Sequence, residues 1–142
     1  MQNIIDTLQD EGRFSRLLEL VRAAEIESIL QGAGPFTLFA PTDAAFGGIP
    51  EQVMHDIVHS RQRAADLLTY HIVPERLTAN DLMERSAVAT LQGADLRIEA
   101  SADRVMVNDA HVVAADIEAG NGVCHAIDTV LLTQSAAQIL PR

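Results

Sequence analysis

The sequence predicts an α+β fold with a mostly antiparallel sheet or sandwich. Three observations carry that expectation. Apolar residues up to about position 85 recur at the three-to-four spacing of helices, and beyond residue 86 the period drops to the two of strands. The helices precede the strands, without the strand–helix–strand alternation of a parallel sheet. Finally, 142 residues, 48% of them apolar, are enough to bury a sizeable core without disulfides or a metal. With no repeat, low-complexity tract or linker, residues 1–142 are expected to form a single domain. Aromatic residues are only 4% of the chain, so that core must be aliphatic.

Each element has a local reason. Between Arg13 and Gly32, the residues Phe14, Leu17, Leu18, Val21, Ala24, Ile29 and Leu30 make an apolar stripe with acids and arginines between them. Gly32, Gly34 and Pro35 stop that helical stretch. Phe36–Ala40 is a short apolar run with a β-branched residue and reads as a strand. In PTDAAF, Thr42 or Asp43 is placed to cap a short helix by accepting from its first free N–H groups. Pro50 suits the first turn of the next helix, which carries Val53, Met54, Ile57 and Val58 on one side. RQRAADLLTYH is a further helix, and Pro74 forces the chain after it to extend. Thr78 caps one or two last turns in TANDLMER. The strands expected next are Val88–Leu91, Asp95–Ala100, Arg104–Val107, His111–Ile117 and Val123–Leu132. The breaks between them, QGA, SAD, NDA and EAGNG, are turn chemistry.

Twenty acids against ten bases give a net charge of −10, and every base is an arginine. A chain this acidic is repelled by a phosphate backbone, so nucleic acid is excluded as a partner, and anionic membrane surfaces are disfavoured for the same reason. No apolar run reaches the 18 residues of a membrane span. The opening MQNIIDTLQDEGRF has neither a basic stretch nor an apolar one, so it is not a signal peptide. Either the domain is cytoplasmic, or it is a mature form whose leader has been removed. The single cysteine, Cys124, rules out an intramolecular disulfide and a cysteine-based zinc site.

The stretch NGVCHAIDTVLL concentrates the residues that could be chemical. On a strand, His125 shares a face with Val123 and Ile127, while Cys124 shares the other with Ala126, Asp128 and Val130. Cys124 and His125 therefore cannot be a nucleophile–base pair, and Cys124 is expected to pack as a small hydrophobe. Asp128 is expected to be satisfied by backbone N–H groups. Tyr70 should anchor a helix-to-strand corner through its ring, with its hydroxyl finding a partner. His55 and His59 are four apart on a helix, a spacing able to hold a metal, and are expected to be exposed. No G-x-S-x-G, P-loop or G-x-G-x-x-G is present, so catalysis and cofactors have no support in the motifs.

Three ordered stretches, GPFTLFAPTDAAF, LLTYHIVPERLTANDL and VMVNDAHVVAADIEAGNGVCHAIDTVLL, resemble the fasciclin domain over nearly the whole chain. The first signature of that family, T-x-F-A-P-T-x-x-A-F, is matched by Thr37, Phe39, Ala40, Pro41, Thr42, Ala45 and Phe46, with Asp43 inside it. Its central Tyr-His pair is Tyr70-His71, and its second signature is matched by Asn121, Gly122, His125, Ile127, Asp128, Val130, Leu131 and Leu132. Cys124 stands where the family usually has Ile or Val, and Thr133 where a proline often follows; both fit a strand or its end.

The resemblance implies a fold in which an antiparallel strand sandwich or wedge packs against several short helices, and a non-enzymatic adhesion or protein-binding module, secreted, periplasmic or at a cell surface. Its partner would be a surface protein or an extracellular matrix or glycan component. In animal members an Asp-Ile motif and the region of the Tyr-His pair are associated with integrin binding. The corresponding residues here are Asp116, Ile117, Tyr70 and His71, and Arg76 joins them in the corner that follows. The arginine-only, alanine-rich composition suggests a GC-rich bacterial gene, so the surface carries over and the integrin does not. Two alternatives stand beside this reading. One is a lipid- or glycan-binding module with an apolar cleft. The other is a metal-dependent enzyme around His71 and His125 with Asp43 or Asp128, which requires a polar pocket and a ring nitrogen open to solvent.

Overall fold

The computed structural model describes residues 3–32, 34–100, 104–108 and 110–131. The chain opens with a helix that the stripe beginning at Phe14 does not announce, α1 (Ile4–Glu11). Asn3 caps it, its Oδ1 accepting from Asp6 N at 2.9 Å, and Gly12 ends it in the left-handed region at φ 78°. The next helical stretch is two helices, α2 (Ser15–Ala24) and α3 (Glu27–Leu30). Glu25 breaks it at φ 59°, where a bond from Ile26 N to Val21 O closes the first helix. That corner brings Ile26 and Leu30 into the core beside Leu20 and Val21.

After β1 (Phe36–Pro41) come α4 (Asp43–Phe46), α5 (Glu51–Val58) and α6 (Arg61–Thr69). Thr42 caps α4 and Ser60 caps α6. Beyond Tyr70 the chain extends as expected, and Ile72–Val73 forms the short strand β2. Helix α7 (Ala79–Leu82) starts on a reciprocal capping box between Thr78 and Asp81. Five strands follow: β3 (Ala87–Ala89), β4 (Asp95–Ala100), β5 (Val105–Val107), β6 (Ala110–Ala119) and β7 (Gly122–Ile127). Strand β7 ends five residues short of the expected Leu132, because Asp128 turns away to bond β6; Leu132 lies outside the described residues, as does the SAD break and Asp109 of NDA.

The seven strands form one sheet in the order β2-β1-β7-β6-β5-β4-β3. It is mixed rather than wholly antiparallel, since β1 runs parallel to β7, from Phe36 opposite Gly122 to Pro41 opposite Ile127. Both strands are buried on both faces, which is why they read as continuous apolar runs. On one face Leu38, Ala40, Cys124 and Ala126 meet the helices through Leu8, Leu17, Leu20 and Leu67. On the other, Phe39 and Ile127 join Val73, Leu82, Leu96, Ile98 and Val107 in a second core. For residues of β3–β5 to reach Phe39, the sheet must fold over, and two register shifts in β6, around Ala114, supply the bend. That is the wedge of the α+β expectation.

At Gly122 the two central strands approach closely. A Cβ there would collide with the carbonyl of Phe36, a backbone atom that cannot swing aside. Gly12, although at positive φ, has open space where its Cβ would stand. Gly122→Ala should therefore cost about 3 kcal/mol or more in denaturant unfolding, by prising β1 from β7. Gly12→Ala should cost only about 1 kcal/mol of backbone strain. Equal losses at the two sites would refute this account of the strand pair.

Candidate functional site

The polar residues of the signatures divide into those turned inward and those left at the surface. Thr37 is fully buried on β1; its Oγ1 donates to Glu75 O at 2.6 Å and accepts from Leu77 N at 2.7 Å. Asn121, also buried, accepts from Ile4 N at 3.0 Å and donates to Leu30 O and Gly32 O at 2.6 and 2.8 Å. One amide thus ties α1, α3 and the turn into β7 together. Asp43 accepts from Ser15 Oγ at 2.7 Å and Arg16 N at 2.8 Å, so it caps α2 and leaves Thr42 to cap its own helix. Partial burial works against its charge, but the hydrogen bonds from Arg16 and Ser15 prevail and lower its pKa.

His125 and Cys124 occupy opposite faces of β7, as alternation requires. The His125 ring stacks near Phe39, donates from Nε2 to Leu77 O at 2.7 Å and accepts at Nδ1 from Asp116 N at 3.1 Å. Cys124 lies in the helix-side core. Burial, with Glu11 adding negative charge, pushes its thiol up to about 12, so it stays protonated and unreactive. His71 donates from Nδ1 to Leu67 O at 2.7 Å and accepts at Nε2 from Leu131 N at 2.9 Å. Burial pulls His71 down to about 4 and lowers His125 as well. The four ring nitrogens are all engaged with backbone, so neither ring offers the solvent-facing nitrogen that the metal-enzyme alternative requires.

Tyr70 and His71 do not form a contact surface. Both are buried, and the Tyr70 hydroxyl accepts from Asn108 Nδ2 at 3.0 Å, pinning the β5–β6 turn over the corner. The structure instead assembles the other three candidates. Arg76 is exposed; its guanidinium donates to Gly122 O at 3.0 Å and pairs with Glu118 at 3.1 Å. Exposed Asp116, in the left-handed region at φ 57°, accepts from Ala79 N at 2.9 Å, while Ile117 packs partly buried against the helix-side core. Glu75 and Arg85 pair at 3.0 Å alongside. The result is a seam of surface charges where loop 74–79 lies against the bend of β6. Asp128 is exposed at the end of β7, accepting from His111 N at 2.8 Å and facing the His111 ring at 3.6 Å.

Sequence reasoning missed α1, although Asn3, the Ile4-Ile5-Leu8 spacing and Gly12 carry its signals. It also missed the double role of Thr37 and the bend at Asp116, neither of which has a local signature.

A fasciclin-domain family model matches residues 12–133. The chain belongs to the fasciclin-domain family. It is 39% identical over 132 residues to the Synechocystis protein sll1735, covering 93% of this chain and 98% of that one. It is 33% identical over 99 residues to the Mycobacterium bovis cell surface glycolipoprotein MPB83, of which it spans 44%. Among solved structures, a fasciclin domain pair from the insect cell adhesion molecule Fasciclin I superposes with a TM-score of 0.78 at 19% identity. That match covers 95% of this chain and 52% of the other, and confirms the fold.

The histidines of this fasciclin domain make its stability depend on pH. Below 6.5 the unfolded chain protonates position 71 while the folded chain does not, until its own value near 4 is reached. Stability contributed by a neutral His71 is thus full above 6.5 and declines as pH falls from 6.5 to 4, by about 3 kcal/mol in all. His125 acts in the same direction. Denaturant unfolding from pH 7 to pH 4 should show this loss, and His71→Gln should flatten the slope while lowering stability at pH 7. An unchanged slope in the variant would refute the assignment.

Proposed function

We propose that residues 1–142 act as one non-enzymatic binding module of the fasciclin type, recognising a surface protein or an extracellular matrix or glycan component. The setting would be secreted, periplasmic or at the cell surface. The observation that carries this reading is the charged seam of Arg76, Asp116 and Glu118. Backbone-directed hydrogen bonds hold its loop and strand in place, yet its charges remain at the surface. Such a surface recognises by complementarity and needs no reactive group. Each contact is modest, so strength would come from several copies acting together. The mycobacterial relative is a cell surface glycolipoprotein, which agrees with this setting.

Beads coated with the full chain, washed over envelope material from cells that produce it, test the proposal. Retention should fall by about tenfold with Arg76→Ala combined with Glu118→Ala, the loss of one modest hot spot. Circular dichroism should show the fold of that variant intact. If it is retained as well as the parent chain, the seam is not the contact surface.

A further inference from the structure

His55 and His59 stand one turn apart on α5, both exposed, with ring centroids 4.0 Å apart and planes inclined by 33°. His59 ends the helix and donates twice to the His55 carbonyl, from its backbone N–H at 3.0 Å and from ring Nδ1 at 2.8 Å. A carbonyl only accepts, so Nδ1 carries the proton and Nε2 carries the lone pair. A backbone carbonyl that fixes one ring nitrogen leaves the other oriented to bind a metal, the arrangement typical behind metal-ligating histidines.

The surroundings suit a cation. Glu51, four residues before His55, stands in the same row of α5. Both histidines and Glu51 line a groove of about 390 Å³, with Glu19 across it on α2 and Phe46 and Met54 among its apolar residues. Arg16 also lines it and opposes a cation, against the two glutamates.

We propose that His55 and His59 form a two-imidazole chelate for a divalent late first-row metal ion at this groove. Imidazole nitrogens bind such ions at about 2.0–2.1 Å, which places two adjacent donors roughly 3 to 3.4 Å apart. The ring centroids, 4.0 Å apart, make the two imidazoles neighbours, and chelation requires side-chain rotations that turn both Nε2 atoms toward one point. Nitrogen donors select Cu²⁺ ahead of Ni²⁺ and Zn²⁺, and leave the hard, oxygen-seeking Mg²⁺ and Ca²⁺ unbound. Among the described residues no group of three His, Cys, Asp or Glu side chains converges on one point. The remaining coordination positions therefore belong to water or to a donor from a bound molecule, and the site is an open one.

The test is a titration of the full chain with zinc chloride, following the imidazole signals of its five histidines by NMR. His55 and His59 should shift together and saturate at one equivalent, while His111, half-buried beside Asp128, stays unmoved. In calorimetry Cu²⁺ should bind more tightly than Zn²⁺, and Mg²⁺ should give no heat. His55→Asn and His59→Asn should each weaken binding by about tenfold or more, a full step of 1.4 kcal/mol. Both positions are exposed, so unchanged thermal unfolding without metal would show that the ligand was lost and not the fold. The proposal fails if His111 shifts as far as the pair or if either single variant binds as tightly as the parent chain. It also fails if saturation needs more than about 1 mM metal.

Discussion

The parallel pairing of β1 with β7 is the constraint on which the rest of the structure depends. It joins Phe36–Pro41 to Gly122–Ile127 across much of the chain, so α4–α7 and β2–β6 must all fit into the connection between them. Closing so long a loop adds only slowly to the entropic cost, roughly 0.6 kcal/mol for each doubling of length. Contacts on both faces of the pair must outweigh that cost, and both faces are buried. Gly122 admits the close approach, and Leu38 and Phe39 send one side chain into each core.

Burying these strands also buries polar groups at their edges and turns, and each is answered by a named side chain. Thr37 holds loop 74–79, Asn121 holds the ends of α1 and α3, His125 reaches from β7 to Leu77 and His71 reaches from the corner to Leu131. Among the described residues no buried side-chain nitrogen or oxygen lacks a partner. Leaving one such group unsatisfied costs about 1–3 kcal/mol, so these residues act as ties between distant segments. The two histidines use opposite tautomers, each fixed by one carbonyl and one N–H, and both are therefore held neutral.

What could be read from the sequence was what depends on near neighbours. The caps at Thr42 and Thr78, the opposed faces of Cys124 and His125 and the change of period after residue 86 are all local, and all stand in the structure. The parallel pair was not legible: both runs read as strands, but an apolar run does not say which strand it will pair with or in which direction. For Tyr70 and His71 the anchored corner was legible, but its closure was not. It depends on Asn108 arriving from the β5–β6 turn and on Leu131 arriving from beyond β7. In the candidate site Asp116 and Ile117 could be named from a resemblance, and Arg76 from its place in the loop after the Tyr-His corner. Their meeting could not, since it needs the bend of β6, which has no local signature in the sequence.

Asp116 shows how the seam is held rigid. A non-glycine residue at φ 57° is held there only where its surroundings determine it on several sides. The Asp116 N–H is bound by buried His125, and its carboxylate is bound by the first N–H of α7. The same histidine holds Leu77 and, through it, the loop that carries Arg76. Arg76 is fixed in turn by the carbonyl of Gly122, the residue that sets the β1–β7 contact. The surface charges are thus referred back, bond by bond, to the most deeply buried pair of strands in the molecule. A partner that binds them need not first order the loop, and avoiding that cost is how a small polar surface on a rigid frame gains affinity.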